Sequence, residues 1–233
     1  MLNFAEPLTE HTLHTPKWKD ICNDVFLAMG YGDCKPDDDI VSMSKEIYAD
    51  IENLAIPRIM HGTVEAQRLD HKHISLGNNE LTFSPGAIIC SYLEGMTHIH
   101  LFVTTVGNEF DNYIRELKLS GNILKEFVAD SIGTALAESC VDKISKMLDN
   151  QVNMKHSLPY SPGYCGWKIC EQRILFSLFP ENPCGISLSE SCLMSPVKSV
   201  SGFFALGLNL SPQPYRCEIC TNKHCYKKKH KIS

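Results

Sequence analysis

Near the end of the 233-residue chain, Cys217-Glu-Ile-Cys-Thr-Asn-Lys-His-Cys225 places three thiols within nine residues, with His224 and His230 close by. The Cys-x-x-Cys pair, Cys217 and Cys220, has the knuckle spacing of a tetrahedral thiolate site, and Cys225 can close toward the same ion. Lys223 and the run Lys227, Lys228, Lys229, His230, Lys231 give positive surroundings that favour thiolate, the form that binds metal. Zinc there would be structural, whereas an iron–sulfur cluster would suit electron delivery. The alternative is a reduced cysteine tail that binds nothing specific. His98 and His100 would share one strand face; with no third ligand in view, a solvent-facing or ligand-facing pair is a simpler reading than a metal site. Glu138 sits in an apolar run, where a carboxylate must be exposed, paired or used for binding.

The elements that must position these residues follow from periodicity. Ile40, Met43, Ile47, Ile51 and Leu54 recur at helical spacing after Asp37, Asp38 and Asp39, which suit a helix N-terminus, and Pro57 ends the run. Arg58 to His73 reads as strands and a hairpin, with a turn at Leu76-Gly-Asn-Asn. From Met96 to Val106, Ile99, Leu101 and Val103 alternate with His98, His100 and Phe102, the period of a strand with one face inward. Helix signals run from Asn108 to about Asn150, broken near Ser120 and Gly121, with Ile123, Phe127, Ile132, Leu136, Val141, Ile144 and Leu148 as core-forming positions. Small residues Ala129, Gly133, Ala135 and Ala137 on that helix let another backbone, or a ligand, come close. Ser161 to Trp167 predicts an ordered loop, Trp167 to Phe179 a helix, Gly185 to Met194 a short strand leading into a helical turn, and Ser199 to Leu208 a buried strand.

The composition bounds the class. A chain of this length can bury one substantial core plus a small appendage, and a formal charge of −5 argues against a general nucleic-acid binder. The basic run near the end reads as a solvated tail. No stretch is long and apolar enough to cross a bilayer, and the first ten residues carry two acidic groups and no basic one, so the expectation is a cytoplasmic protein with no membrane partner. Eleven cysteines is an odd count, and Cys90, Cys140 and Cys192 stand singly in apolar stretches as buried free thiols do.

Several short motifs at matched spacing carry a family resemblance: Ser161-Pro-Gly-Tyr-Cys-Gly-Trp, then Glu171-Gln, then Gly185-Ile-Ser-Leu-Ser-Glu-Ser-Cys-Leu-Met-Ser-Pro, then Lys198-Ser-Val-Ser-Gly202. In order and spacing they resemble the activation domain of cobalamin-dependent methionine synthase. Met29-Gly-Tyr-Gly, Ile56-Pro-Arg and the Val106-Gly-Asn-Glu-Phe-Asp to Glu138 helices resemble the stand-alone members of that family, which also tend to end in a cysteine cluster. The resemblance implies an α+β fold, a bent, mainly antiparallel sheet with long helices, over residues 1–210, followed by a Cys-rich module with a basic tail over 211–233.

The resemblance also implies a function in methionine biosynthesis. The family domain binds S-adenosylmethionine and docks on a cobalamin module, where cobalt is the nucleophile and the protein positions the sulfonium methyl. It places Ser161, Gly163 and Tyr164 at ligand-contacting positions and Glu138 close to the family's binding glutamate, with Thr134 the alternative one turn earlier. Where the family loop has an arginine, this chain has Pro159, so a charge-assisted partner for the ligand carboxylate is missing. No Asp-x-His-x-x-Gly cobalamin motif is present, so the corrinoid belongs on another chain. The reading that follows is an S-adenosylmethionine-binding reactivation or methyl-transfer partner of a corrinoid-dependent methyltransferase, supplied by an external electron donor. The rivals are a non-catalytic corrinoid-protein docking module and a reductive activator that uses the C-terminal cysteines.

Overall fold

In the computed structural model the described residues are 4–77, 80–150 and 154–210. The C-terminal segment with Cys217, Cys220 and Cys225 lies outside them, as does the expected 211–233 module. The chain opens with β1 (Phe4–Thr12), α1 (Trp18–Ala28) and α2 (Asp38–Leu54). A hairpin region follows as β2 (Arg58–Arg68), β3 (Ile74–Leu76) and β4 (Leu81–Phe83), then the short α3 (Gly86–Cys90) and β5 (His98–Thr105). Next come α4 (Asn108–Ser120) and α5 (Ile123–Asp149), with Gly121 between them in the left-handed conformation that stops a helix. After β6 (Lys155–His156) a 3-10 turn leads into α6 (Gln172–Phe176), a small hairpin pairs β7 (Ser187–Leu188) with β8 (Met194–Ser195), and β9 (Ser199–Gly207) closes the described chain.

Among the described residues seven strands form one antiparallel sheet in the order β4-β3-β2-β5-β9-β6, with β1 added on β2. Burial on both faces follows from what covers them. On one face Met60, Val64, Leu101, Val103, Phe203 and Ala205 pack with α3, α6 and the loop at Trp167. On the other, Ile59, Phe102, Phe204 and Leu206 meet Cys140, Val141, Ile144 and Leu148 of α5. The middle of α5, from Val128 to Ala137, is enclosed by α1, α2 and Phe110 of α4, which is why apolar and small residues dominate there.

Four sequence expectations change. The alternation in β5 marks no exposed face, because α5 covers the side that carries His100, and that ring is 1% exposed. Ile123 and Phe127, expected in the core, are 80% and 47% exposed, because α4 and α5 meet at a tip that no other described residue covers. The expected Trp167–Phe179 helix is one α-turn with i to i+3 turns at either end, closed by Leu178 N–H donating to Leu175 O and Phe179 N–H to Phe176 O. The helical turn expected before Met194 is a hairpin turn, in which Leu193 N–H donates to Ser189 Oγ and Cys192 takes a positive φ. The single thiols Cys90, Cys140 and Cys192 are buried and free as expected.

Candidate functional site

Tyr160 and Ser161 run along the open edge of β9. Tyr160 and Phe203 exchange backbone hydrogen bonds at 2.9 Å each way. A methyl group on Gly202 would lie 2.2 Å from Tyr160 O and 2.9 Å from Ser161 Oγ, so the approach requires glycine there. This explains the small residue in the Ser-Val-Ser-Gly strand: it lets the loop enter its turn pressed against the sheet.

The loop from Ser161 to Trp167 holds itself in place. Gly163 N–H donates to Trp167 O at 2.8 Å, Trp167 N–H to Tyr164 O at 2.9 Å and Tyr164 N–H to Ser161 O at 3.2 Å. Gly163, Cys165 and Gly166 all take positive φ values, which turns the chain tightly enough to close these bonds. Trp167 is the anchor. It is 1% exposed, with its ring centroid 5.6 Å from that of Phe83 and 5.4 Å from that of Phe203. Three of the loop's backbone donors are therefore spent inside it, and what it leaves accessible is the half-buried Ser161 and the Tyr164 ring, 55% exposed.

Glu138 reaches the same edge from the helical side. Lys198, just before β9, donates to Thr134 Oγ1 at 2.9 Å and pairs with Asp130 at 2.9 Å. At the far end of α5, Asp149 meets His156 of β6 at 3.0 Å. Asp130, Thr134, Glu138 and Asp149 fall on one stripe of the helix, since four residues are just over one turn and eleven just over three. That stripe follows the edge of β9 from Lys198 to the β6 pairing, and Glu138 stands half-buried along it, one turn beyond Thr134. Ser161, Gly163 and Tyr164 thus stand together in the loop on the β9 edge, and Glu138 stands on the α5 stripe that runs beside β9.

The small residues on α5 are occupied by the protein itself. A methyl on Gly133 would fall 2.3 Å from Phe110 Cζ and 3.0 Å from Lys198 Cγ, so the space beside it holds an α4 side chain and not a ligand. Lys198 is the residue that sequence reasoning missed. It entered only as the first letter of a motif, yet it ties α5 to β9; the signal was the small-residue stripe beside Thr134. A separate cleft of about 280 Å³ lies between α4 and α5, floored by Phe110, Ile114 and Val197 and edged by Arg115, Lys118 and Asp130. None of the loop residues lines it.

Among the described residues no helix is long and apolar enough to cross a membrane, and no group of three or more metal-ligating side chains is assembled. Comparison with curated proteins returns no match. Among solved structures, a crystal structure described as the MetH reactivation domain bound to AdoHcy aligns with a TM-score of 0.62 at 15% identity, covering 90% of this chain and 80% of that one. At that identity the likeness shows a shared fold of mixed helices and antiparallel sheet. The family model described as vitamin B12 dependent methionine synthase, activation domain, matches residues 88–211, a span that holds β5, α4, α5, the Ser161–Trp167 loop and β9. The chain therefore belongs to the vitamin B12 dependent methionine synthase activation-domain family.

Proposed function

We propose that this chain binds S-adenosylmethionine, and its product S-adenosylhomocysteine, along the β9 edge, and serves a separate corrinoid methyltransferase as its reactivation or methyl-transfer partner. The observation that carries the reading is the self-closed loop at Ser161 to Trp167, which holds the exposed Tyr164 ring on a buried tryptophan anchor at the β9 edge. Each part suits a cationic thioether ligand. The Tyr164 ring offers an aromatic face to the sulfonium or the adenine, Ser161 a hydroxyl, and Glu138 a carboxylate for the ligand's positive end. Gly163 leaves room above the loop, since a methyl there would meet only Ile169 Cδ1, at 3.4 Å.

The corrinoid of the partner supplies the cobalt nucleophile, so this chain needs no acid, base or nucleophile of its own. Its residues hold the ligand's methyl group toward the partner and keep water from the reacting face. The C-terminal thiols Cys217, Cys220 and Cys225 complete the proposal as ligands of zinc or of an iron–sulfur centre.

Titration calorimetry with S-adenosylmethionine and S-adenosylhomocysteine tests the ligand. Saturable heat at up to millimolar concentration is expected. No heat, together with no thermal shift, defeats it. Pro159, in place of the family arginine, favours a second reading, a docking module that recognises a corrinoid protein without the ligand. That reading predicts partner binding with silent calorimetry.

A further inference from the structure

Under the C-terminal half of α5 the sheet carries a row of histidines that the proposed ligand site does not use. His11 of β1 stacks on His61 of β2 with ring centroids 5.4 Å apart, and His61 lies 4.9 Å from His100 of β5. His61 is 8% exposed and His100 1%. Both Nε2 atoms are buried without a hydrogen-bond partner among the described residues.

The hydrogen bonds around His100 fix its tautomer. Glu6 of β1 can only accept, so Thr63 donates its hydroxyl proton to Glu6 Oε2 at 2.6 Å. Thr63 Oγ1 then accepts from His100 Nδ1–H at 2.8 Å, which leaves His100 Nε2 as a buried, unprotonated lone pair. A second proton on this ring would bury a cation with no acceptor for its Nε2–H. Burial accordingly pushes His100 down to about 3 and lowers His61, and the neighbouring His11, His61 and His156 rings push the same way. Glu6, 3.9 Å from His100 Nδ1, pulls the other way on His61 but is outweighed by burial. From above, α5 contributes the Cys140 thiol, kept protonated by burial, with Lys143 beside it and Asp149 paired to His156; β9 contributes the uncharged Phe204.

Two faces cover the pair, and they differ in strength. The helix α5 is packed from Val128 to Leu148, whereas β1 is an edge strand with only Phe4 and Leu8 half-buried and two register shifts against β2. Glu6 and His11, the groups that close the row from outside, both ride on β1.

We propose that His61 and His100 form an acid-sensitive latch for β1: in mild acid β1 lets go of β2, water enters that edge of the sheet, and the two imidazoles take up protons while β5 and β9 stay paired. Release is driven by the difference in proton binding. An imidazole returned to its ordinary value near 6.5 favours the open state by about 30-fold at pH 5 relative to neutral pH, from His100 alone. His61 adds to this in the same direction.

Hydrogen exchange on the full chain, corrected for the intrinsic pH dependence, tests it. Between pH 7.5 and pH 5 the opening of residues 4–12 should rise at least 30-fold while β5 and β9 keep their protection, and the double variant His61→Gln/His100→Gln should abolish the rise. The proposal is overturned by opening of β1 that ignores pH, by β5 and β9 opening along with it, or by a double variant that keeps the full rise. If that variant does not fold, carbon NMR of the histidine rings in the unaltered protein decides. Protonation of His100 must follow the loss of β1 protection; an ordinary midpoint near 6.5 with β1 still protected overturns the latch.

Discussion

Tyr164 shows 55% of its surface, and it is backbone hydrogen bonds that close the loop around it. That separation makes it a clean probe. Tyr164→Ala should weaken S-adenosylmethionine binding by about tenfold, roughly the loss of one aromatic contact, with a melting temperature that barely moves. Calorimetry beside a thermal melt checks both halves. Gly133 is the opposite case. A methyl there meets the Phe110 ring, which is itself fully buried and cannot swing aside, so Gly133→Ala should destabilise by about 1–3 kcal/mol in urea unfolding. Its sequence reading left open whether a backbone or a ligand fills the gap. Spacing reveals that a position is small, but not which distant side chain has claimed the space.

At the scale of elements, the site depends on how two segments approach β9. The helix α5 is tied by Lys198 at one end and by the Asp149–His156 pair at the other. The loop is pressed on by Tyr160 at Gly202. Gly202→Ala should push Tyr160 and Ser161 off the strand, lowering stability and ligand affinity together, because a methyl 2.2 Å from a carbonyl oxygen forces a backbone shift. Measured beside Tyr164→Ala, it separates loss of position from loss of a contact: only Gly202→Ala should lower the melting temperature. The helices were legible because their apolar spacing and the stop at Gly121 are local. The elements α1 and β1 were not read. Trp18, Ile21 and Val25 do recur at helical spacing, so α1 had a signal, whereas β1 exposes most of its residues and gains its pairing only from β2.

At the scale of the whole molecule, the proposed partnership with a corrinoid protein bears on the role proposed for the C-terminal cysteines. Protein purified without oxygen should carry one equivalent of zinc or iron per chain on Cys217, Cys220 and Cys225. Less than about a tenth of an equivalent, with all three thiols freely alkylated, refutes that, since a thiolate site should hold its ion tightly at neutral pH. Visible absorption with iron would point to electron delivery toward the cobalt of the partner; colourless zinc would make the module structural.

The sequence by itself determined the long helices, the buried β9 strand and the ordered loop, because helical period, apolar runs and turn residues act over a few positions. Short motifs in a fixed order carried the family, and with it the α+β architecture. Only the tertiary structure decided what covers each face. His98 and His100 alternate in sequence as outward residues would, yet His100 is buried because α5, from 40 residues further along the chain, lies over it. Ile123 and Phe127 repeat like core residues, yet they project from a helix tip that nothing caps among the described residues. Burial is a property of the partner surface, and period along one strand or helix says only which residues point together, not what they will find.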